Sequence, residues 1–380
     1  MRNINMIKQF LVATAIAVFA LSSSSYADDA AEKVAAGWHT SGSKIVNPEG
    51  ETVILKSVSW FGFETENLVP HGLWSRNMGQ MLDEMKSIGF NSIRVPFSND
   101  ILKPGNMPNS INFHENPELE GKTALEVFDI FIQKASERGM FLILDRHRPT
   151  SAQQSELWYT SQVSEEQWIQ DWVFLADRYK DNPYVIAVDL HNEPHGQAGW
   201  GNGNPNTDWK AAAERAGNAV LKANPYLLII VEGIQFGKDW DSYWWGGAID
   251  KVRELPVILN VSNKVVYSPH DYGYGVWRQP WFEDPSFPNN MDKIWDDKWG
   301  YIVKEDIAPV WIGEFGGREV GYETKEGIWQ NKLVQYIHDN GMSFSYWSWN
   351  PNSGDTGGIL LNDWRTIHKE KVEMLQLILD

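Results

Sequence analysis

The 380-residue chain carries 33 Lys and Arg against 50 Asp and Glu, a net charge of −17. Each close phosphate would therefore meet net repulsion, and neither nucleic acid nor an anionic membrane is an expected partner. There is no cysteine, so an exported chain gains no disulfide stability and relies on its core, while 20 Trp, 13 Tyr and 16 Phe supply flat faces suited to the C–H face of a sugar ring.

The first 27 residues read as a secretory signal peptide. Arg2 and Lys8 precede an apolar run from Phe10 to Leu21, and Ser25 and Ala27 stand where cleavage before Asp28 would need small residues. The run is too short for a permanent membrane anchor, and no later segment is long and apolar enough to be one. Removal of residues 1–27 takes the charge from −17 to −19 through loss of Arg2 and Lys8. Residues 28–37 are then a short extension, and 38–380 form one domain without linker or repeat. Such a leader predicts a secreted protein, extracellular or periplasmic.

Residues 38–63 predict a strand pair turned by "NPEG", followed by an apolar run ending "SVSWFGF". An alternation then begins. Met78, Met81, Leu82, Met85 and Ile88 keep the spacing of a helix face, Gly89 supplies the stop, and "NSIRVP" follows as a strand. A helix through Phe128, Ile132 and Ala135 closes at Gly139 and leads to "MFLILD"; Trp168, Trp172, Leu175 and Tyr179 lead to "VIAVDL"; and 208–224 leads to "YLLIIVE". The strands "KVVYSP", "PVWIGE" and "SFSYWSW" follow, with helices expected near 291–303, 324–340 and 363–379. Counting "TVILKSVSW" first, eight apolar strands alternate with helices, which favours a (β/α)₈ TIM barrel with a short N-terminal hairpin. An open doubly wound sheet is the alternative, but no glycine-rich phosphate loop follows an early strand.

The stretch "DLHNEPHG" spaces His191 and His195 four apart around Glu193, which on a helix would suggest zinc. Pro194 argues against that helix, because it lacks an N–H and biases Glu193 toward an extended conformation. In a barrel of this kind the active site lies at the C-terminal ends of the strands. Those ends hold Arg94, His147, Asn192 with Glu193, Glu232, His270 with Tyr272, Glu314 and Trp347. A lone Arg or His there is more often a surface or a hydrogen-bonded residue, and nothing assigns Glu232 a role. The carboxylates in "HNEP" and "IGEFGG" weigh more, since each would be a costly unpaired charge at a buried strand end.

The segments "HGLWSRN", "NSIRVPFSNDILKPGNMPNSINF", "LILDRHRP", "DLHNEPHG", "AAAERAGNAVL", "DSYWWGG", "YSPHDYG", "FPNNM", "WIGEFGG" and "YWSWNPNSGDTGGIL" occur in order over nearly all of 38–380. On these the chain resembles glycoside hydrolase family 5, specifically bacterial endo-β-1,4-glucanases. The resemblance implies a (β/α)₈ barrel that hydrolyses internal bonds of β-1,4-glucan with retention and without metal or organic cofactor. It makes Glu193 the acid/base and Glu314 the nucleophile, with Arg94, His147, Asn192, His270, Tyr272 and Trp347 binding substrate. Cellulases of this kind often add a linker and a cellulose-binding module; neither is read here, so weak binding to crystalline cellulose is expected.

Retention needs one carboxyl to protonate the leaving oxygen and one carboxylate to attack the anomeric carbon. Arg94 and Tyr272 are expected to hold Glu314 ionised, while Glu193, facing that charge, is expected to keep its proton. Trp74 and Trp347 are the expected stacking platforms; "YWWGG", with Trp244 and Trp245, either contacts sugar or packs under a loop. The expected partner is a β-1,4-glucan chain bound by a monomer. A mannanase or xyloglucanase could use the same residues, and a non-catalytic carbohydrate-binding protein would not need two opposed carboxylates.

Overall fold

The computed structural model describes residues 37–380. The expected signal peptide lies outside the described residues, as does the extension up to residue 36. Within the described residues, each strand of the main sheet is buried along nearly its whole length, and β6, β7 and β9 are largely apolar runs, as strands covered on both faces are. The eight are β3 (Lys56–Ser59), β4 (Ser92–Ser98), β5 (Phe141–Arg148), β6 (Val185–Asp189), β7 (Leu228–Glu232), β8 (Val265–Ser268), β9 (Trp311–Phe315) and β10 (Ser343–Tyr346). They pair in parallel, β3 through β8 in chain order and β10 between β3 and β9. Single parallel bridges between Tyr267 and Val310 and between His270 and Glu314 close β8 onto β9. The expected barrel is therefore present.

Helices return the chain outside the sheet, and their ends follow local chemistry. In α1 (Met78–Ile88), the Asn77 side chain accepts the N–H of Gln80, and Gly89 ends the helix at φ 117°, a conformation cheap only for glycine. A capping box between Thr123 and Glu126 starts α2 (Ala124–Ser136). In α3 (Glu165–Arg178), Trp168 and Trp172 face the sheet, and both indole N–H groups donate to the Leu190 carbonyl at 2.9 and 3.0 Å. That pair fixes the strand end immediately before the "HNEP" turn. The remaining helices are α4 (Trp209–Ala223), α5 (Met291–Trp295), α6 (Tyr301–Lys304), α7 (Lys325–Asp339) and α8 (Lys369–Leu379).

At the opposite end, Trp38 and Ile45 from the N-terminal hairpin pack with Ile143, Ile186, Leu228, Ile230, Val266 and Trp311. The hairpin plugs the barrel bottom and leaves the C-terminal strand ends free.

Three local expectations change. The hairpin β1 (His39–Ser41) to β2 (Lys44–Val46) turns at Gly42 and Ser43, with Gly42 at φ 55°, whereas "NPEG" makes a second reversal closed by the single bridge between Val46 and Thr52. The helix expected over 291–303 is broken by a π-helical turn at Asp296–Gly300. The last helix begins at Lys369 rather than 363, because Asp363 accepts the N–H groups of Arg365 and Thr366 and Trp364 sits at φ 61°. Such local side-chain bonding competes with a helical start.

Candidate active site

Arg94 on β4 is fully buried, and the ends of four other strands, β5, β6, β7 and β9, converge on it. Its guanidinium contacts Glu314 through Nη1, Asp189 through Nε and Nη2 at 3.1 and 3.0 Å, Asp145 at 3.1 Å, Glu232 at 3.1 Å and the Asn192 Oδ1 at 2.9 Å. Burial works against its charge, but Asp145, Glu314, Asp189 and Glu232 more than offset this and hold it protonated. Burial also raises the carboxyls of Asp145, to about 7, and of Asp189 and Glu232, with Arg94 opposing the rise in each.

Glu314 closes β9, where Tyr272 donates its phenol to Oε2 at 2.5 Å and Arg94 faces Oε1. Glu193 lies opposite. One oxygen from each of these carboxyls and a ring nitrogen of His270 all fall within 4.8 Å of one another. His270 Nδ1 is 3.1 Å from Glu193 Oε1 and 3.6 Å from Glu314 Oε2, and Gln154 donates to Glu193 Oε2 at 2.8 Å. Burial disfavours a charged imidazole, but Glu232, Glu314 and Glu193 outweigh it and push the His270 pKa well up. Burial would raise Glu193; the His270 hydrogen bond and charge, with Gln154, bring it below the usual carboxylate range instead. The direction is opposite to the expectation that Glu193 keeps its own proton, and its cause is His270, which the sequence did not place beside Glu193.

A second group of ligand-type atoms, from Asp189, Glu232 and His270, is equally close. Both groups run through His270, whose nitrogens face carboxyls at hydrogen-bonding distances, so their chemistry is that of a proton network.

The "HNEP" turn is not helical, but neither is Glu193 extended as its proline neighbour predicted. It sits at φ 51°, a left-handed conformation that costs a non-glycine residue about 1–3 kcal/mol unless its surroundings impose it. Its N–H donates to Glu232 Oε2 at 2.7 Å, and its carbonyl lies 2.6 Å from His195 Nδ1. The two histidines of the turn serve separate neighbours. His191 is buried against Arg146, with Nδ1 3.0 Å from Nη1, and burial pushes its pKa well down; His195 stacks on Trp245 with centroids 3.8 Å apart.

The carboxyl pair opens into a cleft of about 740 Å³, lined among others by His147, Trp244, Trp245, Tyr272, Trp277 and Trp347. Trp347 lies parallel to both Phe61 and His147 at 5.3 Å, and its indole donates to Ser353 at 3.2 Å. His147 Nδ1 is 2.7 Å from Asp145, and burial lowers its pKa to about 4. Trp74 does not line the cleft: it packs edge-on against Trp364 and beside His71. Trp245 and Trp277 do line it. Sequence reasoning missed Asp145 and Asp189, although a charged residue ending each apolar run "MFLILD" and "VIAVDL" was a usable signal. Gln154 and Trp277 lie outside the strands and helices and gave none.

The model of the family described as "Cellulase (glycosyl hydrolase family 5)" matches residues 46–353. An endoglucanase of Paenibacillus polymyxa is 53% identical over 97% of this chain and 94% of its own. The major extracellular endoglucanase of Xanthomonas campestris pv. campestris is 44% identical over 88% of this chain and 69% of its own. Among solved structures, an endocellulase variant of Pyrococcus horikoshii in complex with cellotetraose superposes with a TM-score of 0.86 at 43% identity, covering 90% of this chain and 99% of that one.

Proposed function

Because the chain belongs to glycosyl hydrolase family 5, we propose that it is an endo-β-1,4-glucanase, cleaving internal bonds of β-1,4-glucan by double displacement with retention. The carrying observation is the spacing of the carboxyl pair, an oxygen of Glu193 lying within 4.8 Å of one of Glu314. Retention works with carboxyls roughly 5–5.5 Å apart, whereas inversion needs about 6.5–9.5 Å to admit a water.

Glu314 is the nucleophile. Arg94 and Tyr272 both donate to it, and hydrogen bonds to the charged form favour that form. Glu193 is the acid/base, and its proton comes from the His270 pair. When sugar displaces water, an ionised Glu193 loses solvation, and the short His270 contact lets the proton pass to the carboxyl that faces the leaving oxygen. The leaving oxygen takes this proton as Glu314 attacks C1. Glu193 then withdraws a proton from the water that releases the glycosyl group.

Arg94 occupies the Asn192 Oδ1, while the buried Asn192 Nδ2 has no partner among the described residues. That amide is the donor for the 2-hydroxyl, a contact that strengthens in the transition state. Trp347, Trp245 and Trp277 supply sugar-stacking faces along the cleft. No helix among the described residues is long and apolar enough to cross a membrane. A protein secreted through its N-terminal leader, acting as a monomer on soluble β-glucan, fits this reading.

Carboxymethylcellulose, mannan, xylan and xyloglucan compared side by side test it. Viscosity of the carboxymethylcellulose should fall before many reducing ends appear. Faster release from mannan would move the substrate assignment, and early release of single sugars would remove the endo mode.

A further inference from the structure

The carboxyl of Glu232 is fully buried at the end of β7, behind the catalytic pair, and the mechanism above does not use it. Its Oε2 receives the main-chain N–H of Glu193 at 2.7 Å. Its Oε1 receives Arg94 Nη2 at 3.1 Å and lies 3.2 Å from His270 Nε2. Among the described residues it is therefore the one side chain that touches the Glu193 backbone, the imidazole paired with the Glu193 carboxyl, and the guanidinium that holds Glu314.

Gly246 completes the clamp. At φ 65° its missing Cβ would fall 2.5 Å from Glu232 Oε2 and 3.2 Å from the Glu193 Cα, and its N–H reaches the Pro194 carbonyl at 3.3 Å. A residue at φ 51° persists only where neighbours over-determine it. Here Glu232 holds the peptide from behind and the Gly246 segment presses on it from the side.

We propose that Glu232 is a positioning residue for the acid/base: by bonding the Glu193 N–H and backing His270, it keeps the left-handed turn that aims the Glu193 carboxyl at the leaving oxygen. This rests on the assignment of Glu193 as acid/base. It predicts a fault confined to steps that need protonation.

The test compares kcat/KM on soluble β-glucan, whose leaving group needs a proton, with kcat/KM on 2,4-dinitrophenyl β-cellobioside, whose leaving group does not. Glu232→Ala should lose about a hundredfold on the glucan, within the usual contribution of general acid catalysis, and less than tenfold on the aryl glycoside, with KM on the glucan little changed. Glu232→Gln, whose amide oxygen can still accept the Glu193 N–H, should recover at least tenfold over alanine. Gly246→Ala, pushing on the same peptide from the other side, should reproduce the selective loss. Equal losses on both substrates, or none, would overturn the proposal. If Glu232→Ala does not fold, Glu232→Gln and Gly246→Ala decide by the same criterion. Glu193→Ala, run in parallel, keeps the two readings apart: if that variant shows no dependence on leaving group, the acid/base assignment has failed; if it does and the Glu232 and Gly246 variants do not, the positioning role has.

Discussion

His270 and Glu193 form a hydrogen-bonded pair: Nδ1 stands 3.1 Å from Oε1, and neighbouring carboxyls push the imidazole pKa up while the imidazole pushes the Glu193 pKa down. The pair, not either residue, should therefore set the alkaline limit of kcat/KM, which reports groups of the free enzyme. Because the His270 pKa is raised, that limb should lie above the ordinary histidine value of about 6.5. In His270→Gln the stored proton is gone, and the limb should fall toward the ordinary carboxylate range. An unmoved limb in this variant would place the proton on Glu193 alone.

Removing either carboxyl separates the two chemical steps. Glu314→Ala should lose roughly 10⁴-fold or more in kcat, since no covalent intermediate can form. Glu193→Ala should lose about 10²–10⁴-fold on glucan, yet keep turnover on an aryl cellobioside when azide replaces water in the second step. The anomer first formed by the parent enzyme, followed by NMR, must be β. An initial α-anomer would rule out the retaining assignment.

The cleft aromatics should divide by position. Trp245 lines the cleft braced flat against His195, while Trp74 stands outside it against Trp364. Loss of a stacking face costs about 1–1.5 kcal/mol, so Trp245→Ala should raise KM for cello-oligosaccharides roughly tenfold. Trp74→Ala should change it less than twofold. A reversal of this order would restore the sequence expectation for Trp74.

The barrel and most of the site were legible because both leave periodic marks. Amphipathic runs such as Met78 to Ile88 reveal helix faces, buried strands read as apolar runs, and polar groups at their ends cannot be explained by packing. What depends on tertiary contact was not. The pre-proline rule pointed Glu193 toward an extended conformation, but the Glu232 carboxyl, 39 positions away, bonds its N–H and favours the left-handed one. The pKa shift of Glu193 had the same source: sequence shows two opposed glutamates, while only the fold shows His270 beside both. Trp277 and Gln154 come from irregular segments whose direction no periodicity reports.

His71 makes a prediction about stability away from the chemistry. It is buried, with Nδ1 3.1 Å from Asn352 Nδ2 and Nε2 2.8 Å from Asn67 Oδ1. An amide nitrogen can only donate and an amide oxygen can only accept, so these neighbours specify a neutral ring with its proton on Nε2. Burial lowers its pKa from 6.5 to about 4. The unfolded chain therefore takes up the proton first as pH falls. Its contribution is fully present above pH 6.5, is lost as pH falls through the folded value near 4, and is flat below that. The shift corresponds to about 3 kcal/mol between neutral pH and pH 4, at 1.36 kcal/mol per unit. His147, also lowered to about 4, adds a loss of the same sign in the same window. Urea unfolding at pH 7 and pH 4 should show the parent losing more stability than His71→Gln, by up to that amount. Equal losses in the two proteins would mean that His71 titrates as it does in the unfolded chain.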